Sequence, residues 1–254
     1  MTFDGTQKVI GHGAQAEVIL YKGFAYKVYK PTYPTEWIAF EKQQQAAVNK
    51  AGLCPVKYYD TDDPHIIKMD FVDGDTLEKK LHEAMPFEDG LAFLTHAFRF
   101  VHAADATNTT MPPLIATAGM GLSDAEQAKI FPVIERLSQK YKSVICHLDM
   151  HFLNIMLPKT DTPPNAGTAS AQAAPASANS PRISGFVIID WMNARLAPAV
   201  FDYARTYVIF DEFIKDALVC YKNAISKDIN ALGISDEDFS DAVEVCTIIR
   251  KHEK

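Results

Sequence analysis

Apolar and polar residues alternate with a period near two through the first third of the chain. Gln7 to Gly11, Glu17 to Tyr21 and Phe24 to Lys30 each read as a strand, and Lys22-Gly23 reads as the tight turn of a hairpin. Pro34 and Thr35 then open a helical stretch to about Lys50, with Thr35 as the expected N-cap and Gly52 as the stop. Val56 to Asp60 and His65 to Phe71 return to a strand pattern. The pattern predicts five antiparallel strands with one helix between the third and the fourth, a small α+β lobe.

After Gly74 the period lengthens. Leu91, Leu94, Phe98 and Val101 recur at helical spacing and mark one buried stripe. Ser123 and Glu126 form a capping-box pattern, and Pro132 predicts a kink or a fresh start in the helix that follows. Ser235 with Asp236, Glu237 and Asp238 opens a last helix that Arg250 and Lys251 close, the polarity that the helix dipole favours. Phe239, Val243 and Cys246 are its expected core face.

One segment breaks both patterns. Lys159 to Arg182 holds seven alanines and four prolines and no large apolar residue, so it has too little apolar surface to order itself. It separates the strand-like runs Ile155 to Leu157 and Phe186 to Ile189, and reads as a disordered insertion (159–182) at the tip of a hairpin. An interdomain linker is the alternative.

Composition narrows the class. With 48% hydrophobic and 22% charged residues, the 254-residue chain is ordinary for a soluble globular protein of one large domain or two lobes. A net charge of −7 argues against nucleic acid as a partner and suits a cationic small molecule, with acidity that only aids solubility as the alternative. Cys54, Cys146, Cys220 and Cys246 are scattered, with no Cys-x-x-Cys pair, as expected of free thiols in a reducing cytoplasm. Neither a signal segment nor a membrane span is apparent.

The chemistry concentrates in His147-Leu148-Asp149-Met150-His151-Phe152-Leu153-Asn154 and in Asp190, which follows Phe186-Val187-Ile188-Ile189. Phosphoryl transfer needs such a set: one carboxylate to receive the proton of the attacking hydroxyl, and an amide oxygen and a second carboxylate to hold Mg²⁺ against nucleotide phosphates. His147, Asp149 and His151 also alternate along one face of an extended run, and two histidines with a carboxylate suit zinc. The zinc reading gives Asn154 and Asp190 no role; without it, His147 and His151 are structural.

Other parts of a nucleotide site lie upstream. Gly11-His12-Gly13-Ala14-Gln15 sits between two strands, where glycines let backbone N–H groups approach phosphates; a plain β-turn is the alternative. A dinucleotide fold would place a helix after the glycines, whereas here a strand follows. Lys27 in Ala25-Tyr26-Lys27-Val28-Tyr29 is costly to bury without a carboxylate. Glu41 is the chosen partner, and Glu36 serves the helix start; an exposed Lys27 is the alternative. The connector Asp70 to Gly74 offers the Asp70 C=O and the Val72 N–H to an adenine. Asp202 reads as a buried acceptor for loop N–H groups, or as a helix N-cap.

Three segments carry a resemblance. Cys146 to Leu157 resembles the catalytic loop of the aminoglycoside phosphotransferase and choline kinase superfamily, His-x-Asp-x-His-x-x-Asn. Ile189-Asp190-Trp191 is similar to that family's magnesium motif, and Asp202-Tyr203-Ala204-Arg205 to its Asp-x-Ala-Arg stretch. The resemblance implies a protein-kinase-like bilobal fold: a nucleotide lobe over 1–70, a hinge at 71–74, and a mostly helical catalytic and substrate lobe over 75–254. It implies ATP-dependent phosphorylation of a small-molecule hydroxyl, whether aminoglycoside-, choline- or thiamine-like. Asp149 is then the catalytic base, Asn154 and Asp190 bind Mg²⁺, Lys27 pairs with Glu41, and His147 and Asp202 support the loop. Leu148 stands where the family usually has Gly, and Phe152 where it often has Pro. A non-catalytic nucleotide-binding scaffold would have lost a base or metal ligand, and none is lost. A protein kinase would carry Asp-Phe-Gly where this chain has Asp190-Trp191-Met192.

Overall fold

The computed structural model describes residues 1–159 and 185–253. The expected insertion at 159–182 lies, beyond Lys159, outside the described residues. The chain divides into two units: Met1–Asp75 with Met156–Met192, and Thr76–Ile155 with Asn193–Lys254.

The first unit carries a five-stranded antiparallel sheet of β1 (Lys8–His12), β2 (Ala16–Tyr21), β3 (Phe24–Tyr29), β4 (Tyr58–Tyr59) and β5 (Ile66–Asp70), in the order β1-β2-β3-β5-β4. Lys22 and Gly23 both take positive φ, 47° and 80°, which sets the right-handed twist a two-residue hairpin needs. The period of two separates two apolar groups. Ile19, Tyr21, Tyr26 and Ile66 pack together on one side. Ala16, Tyr29 and Ile67 pack against Ile38 of α1 (Thr35–Lys50) on the other.

Two sequence expectations change here. Pro34, not Thr35, is the N-cap of α1, and no side chain caps it. The helix ends as expected at Gly52, φ 72°, with the Leu53 N–H donating back to the Val48 carbonyl at 3.1 Å. The strand expected over Val56 to Asp60 shrinks to Tyr58–Tyr59, because α1 takes the Val56 carbonyl: Gln45 Nε2 and Asn49 Nδ2 both donate to it at 2.8 Å.

A smaller sheet joins β6 (Gly74–Thr76), β8 (Ile155–Pro158) and β9 (Val187–Ile188) in the order β6-β8-β9, so the two runs flanking the unusual segment are neighbours. A Cβ on Gly74 would lie 2.5 Å from the Leu157 carbonyl oxygen, so only glycine lets these strands approach.

The second unit is mostly helical: α2 (Leu77–Glu83), α3 (Phe87–His102), α4 (Asp124–Lys140), α5 (Ala199–Phe213), α6 (Leu218–Ala231) and α7 (Asp236–Lys251). A two-stranded antiparallel ribbon of β7 (Ser143–Cys146) and β10 (Arg195–Pro198) runs among them. The α3 stripe is buried as expected. Ser123 and Glu126 cap α4 reciprocally, and α4 continues through Pro132 without a fresh start. Cys246 of α7 is buried in the main core with Phe201 and Val200 of α5, and Phe239 and Val243 pack against that core. Asp238 does more than favour the dipole. It is 1% exposed and accepts from Arg136, Lys140, Tyr141 and Ser235, which tie α4 to the start of α7. The four cysteines are free, and no helix among the described residues is long and apolar enough to cross a membrane.

Candidate active site

In the first unit, strand alternation decides where Lys27 points. It shares a face with Tyr29, the face that meets α1. Its Nζ lies 2.8 Å from Glu41 Oε1 and 3.4 Å from Asp190 Oδ1. Glu41 is 1% exposed and accepts also from the Tyr58 hydroxyl at 3.3 Å and from the Tyr29 hydroxyl. Glu36 is exposed, so the choice between the two glutamates falls to Glu41. Burial works against the Lys27 charge, and the Asp190 and Glu41 carboxylates outweigh it, holding its pKa well above the usual lysine value. The ammonium is therefore charged at neutral pH.

Asp190 follows β9 with φ 62° and a side chain 44% exposed. The next residue, Trp191, is buried, and its indole N–H donates to the Ile188 carbonyl at 2.9 Å, which holds the turn under Asp190. Upstream, the turn between β1 and β2 is tied at its base. Gly13 N–H donates to the Ala16 carbonyl at 2.8 Å, and Lys30 donates to Ala14 and Gln15 carbonyls at 2.6 and 2.9 Å. Gly11 opens this turn at a register shift in the β1–β2 ladder. Asp70 ends β5, its carboxylate accepting from the Lys57 N–H and the Tyr59 hydroxyl, each at 3.0 Å, and Val72 is buried two residues on.

In the second unit, the loop after β7 hangs on one buried carboxylate. Asp202 is 0% exposed and accepts from the His147 N–H at 3.0 Å and the Leu148 N–H at 2.8 Å. It sits inside the first turn of α5, whose N-cap is Pro198, so its work is to hold the loop and not to cap the helix. Thr206, one turn later, donates to the Met150 carbonyl at 2.6 Å. His147 is fully buried, and its Nδ1 accepts the Asp149 N–H at 3.2 Å.

Asn154 Nδ2 donates to the Asp149 carbonyl at 2.8 Å and lies 3.3 Å from its Oδ2. Its amide nitrogen thus faces Asp149, and its oxygen faces the other way. His151 Nε2 lies 3.7 Å from Asp149 Oδ2. Burial opposes ionisation of Asp149, but His151 and the charges of Arg205 and His147 prevail and hold its pKa down to about 2. Asp149 is a carboxylate at neutral pH, able to accept a hydrogen bond from a hydroxyl.

The zinc alternative fails on geometry. Among the described residues, the one group of His, Cys, Asp and Glu whose ligand atoms converge is His102, Cys146 and Asp202. That group is already spent: His102 Nε2 is 2.9 Å from Asp202 Oδ2, and the Cys146 thiol, raised well above its usual pKa mainly by burial, donates to the Ala197 carbonyl at 3.4 Å. His102 is the residue that sequence reasoning missed. It ends α3, and nothing in the sequence marks it as the third donor to Asp202.

No protein-family model matches the sequence, and no curated protein matches it significantly. Solved structures do match in fold. Aminoglycoside phosphotransferase APH(3'')-Id from Streptomyces rimosus is similar with a TM-score of 0.61 at 14% identity, over 96% of this chain and 93% of that one. A thermostable mutant of aminoglycoside phosphotransferase APH(4)-Ia, solved with ADP and hygromycin B, gives 0.57 at 11%, over 98% and 87%. Choline kinase LicA from Streptococcus pneumoniae gives 0.54 at 14%, over 98% and 86%. At such identities the likeness is one of fold. The chain has the kinase-like fold shared by aminoglycoside phosphotransferases and choline kinases, carried by a sequence far from either.

Proposed function

We propose that this protein is a divergent small-molecule kinase that transfers the γ-phosphate of ATP to a hydroxyl of a small acceptor. The observation that carries the reading is Lys27, a buried lysine held by Glu41 at 2.8 Å and also facing Asp190 at 3.4 Å. A cation so fixed suits the α- and β-phosphates of a nucleotide. The turn Gly11 to Gln15 then covers the phosphates with backbone N–H groups, and Asp70 and Val72 present backbone groups to the base. Asp149 orients the acceptor hydroxyl and takes its proton. His147, His151 and Asp202 keep that carboxylate ionised and its loop in place.

The donors assigned to Mg²⁺ fit a hard cation. Each is an oxygen: the partly exposed Asp190 carboxylate and the Asn154 amide oxygen, left over when its nitrogen bonds Asp149. When bound, Mg²⁺ shields the charge that develops on the transferred group.

Two measurements test the reading. Mg·ATP at ~100 times its Kd should stabilise the protein by about 2.7 kcal/mol, seen as a raised melting temperature. Absence of a shift with both ATP and GTP would sink it. Asp149→Asn should abolish acceptor-dependent nucleotide consumption and leave nucleotide affinity unchanged; persistent turnover would remove Asp149 from the mechanism.

A further inference from the structure

Arginines border the loop that carries Asp149. Arg205 of α5 is 3% exposed and Arg195 of β10 is 7%. Arg205 shares a helix face with Asp202, three residues before it, and precedes Thr206, whose hydroxyl holds the Met150 carbonyl. Arg195 lies opposite Cys146 in the β7–β10 ladder, immediately before the loop. Glu253, in the coil after α7, is the carboxylate at Arg205, whereas Arg250 Nε pairs also with Glu212 at 3.1 Å, and Arg195 donates to the Thr117 hydroxyl at 2.7 Å and to the Ala194 carbonyl at 2.8 Å. Arg205 Nη2 donates to Glu253 Oε2, and Nη1 of Arg250 lies 3.6 Å from the same oxygen. Burial lowers the pKa of Arg195 to about 10, and the Glu253 charge offsets part of that effect.

Glu253 is an incomplete ligand for Arg205. The Nε and Nη2 hydrogens of a guanidinium form a parallel fork that matches two oxygens of one carboxylate or phosphate. Glu253 takes Nη2 alone, and Arg205 Nε finds no hydrogen-bond partner among the described residues. A buried N–H left unmatched is rare in a folded protein, and here it sits beside a carboxylate already in place.

We propose that Arg205, with Arg250 beside it, forms an oxyanion site, filled in this structure by Glu253, that takes a carboxylate or phosphate of a small ligand through both arms of the fork. The site stands without the kinase reading. Only the identification of that ligand with the phosphoryl acceptor rests on it, and the acceptor is then an anionic hydroxy compound, such as a hydroxy acid, and not a cation.

The test uses the full chain and Glu253→Gln, a change at a partly exposed position that removes the competing charge. Inorganic phosphate and glycerate are titrated by calorimetry. Glu253→Gln should bind both at least about tenfold more tightly than wild type, and adding Arg205→Lys, which keeps the charge but removes the fork, should cancel the gain. Nucleotide consumption with glycerate but not choline would identify the ligand as the acceptor. Phosphate binding without consumption of any acceptor supports the site and counts against the kinase reading alone. If folded Glu253→Gln binds neither oxyanion, the proposal is overturned whatever the turnover, and whether or not the Arg205→Lys variant folds.

Discussion

Replacing Leu148 sets two terms of opposite sign against each other. The residue has φ 57°, a left-handed conformation that costs an L-residue about 1–2 kcal/mol and glycine almost nothing. It is also 8% exposed and packed in the main core of its unit with Cys146 and Phe201. Removing a buried leucine side chain costs about 2–5 kcal/mol. Packing therefore wins, and Leu148→Gly should lose about 2–3 kcal/mol although it relieves the backbone. For a chain of this size that is roughly 5–10 °C in melting temperature. Leu148→Ala provides the control. It loses nearly the same packing and keeps the strain, so it should be no more stable than Leu148→Gly, whereas at an ordinary position alanine is the better residue by about 0.5–1 kcal/mol. Urea unfolding followed by circular dichroism ranks the three proteins. A glycine variant as stable as wild type would mean that strain outweighs packing. An alanine variant clearly more stable than the glycine one would mean that the backbone at 148 is not strained at all. The two N–H groups on Asp202 explain how the torsion persists: they fix His147 and Leu148 from below, at 3.0 and 2.8 Å.

Lys27→Met should weaken nucleotide binding by more than about tenfold and destabilise the fold by about 3 kcal/mol, since Glu41 is left buried with no cation; Glu41→Gln added to it should restore melting but not binding, and calorimetry with urea titration checks both. Acid should unfold the second unit through Asp238 and Asp149. Against burial, Lys140, Tyr141 and Arg136 hold the Asp238 pKa far below the usual carboxylate value, and Asp149 titrates near about 2. Folded values below unfolded ones give stability that is complete above about pH 5 and lost as pH falls through about 4 toward 2. Asp238→Asn should flatten that fall in a urea-midpoint series from pH 6 to 3, and a curve parallel to wild type would clear Asp238 of the effect.

The strands of the first sheet, the Lys22-Gly23 turn and the α3 stripe were legible because period and turn chemistry are local properties. The errors came where distant side chains compete for a local group. Val56 has the composition of a strand residue, but Gln45 and Asn49 claim its carbonyl. Pro132 removes one hydrogen bond from α4, and the core holding Ile130 and Ile134 keeps the helix in one piece. Asp238 looked like a first-turn acid because its cations, Arg136 and Lys140, lie about a hundred positions away in α4. His102 is hidden for the same reason: its partner Asp202 is a hundred residues off, and a histidine at a helix end looks the same whether it is free or bonded.

The groups proposed to carry out phosphoryl transfer read differently from the groups that would choose a ligand. Asp149, Asn154, Asp190, Lys27 and Glu41 stand out because phosphoryl transfer prescribes their types and spacing. Ligand choice has no such code, and net charge is only a coarse guide to it. The −7 of the whole chain favoured a cationic acceptor, yet it is a sum over every charged residue in the chain. On our proposal, a ligand near Asp149 meets the local field instead, in which Arg205 is buried and helps to hold the Asp149 pKa down. Buried charges act in a medium that screens them weakly, so one buried arginine close to a ligand counts for more than a surface acid separated from it by more than the ~8–10 Å screening length of salt water.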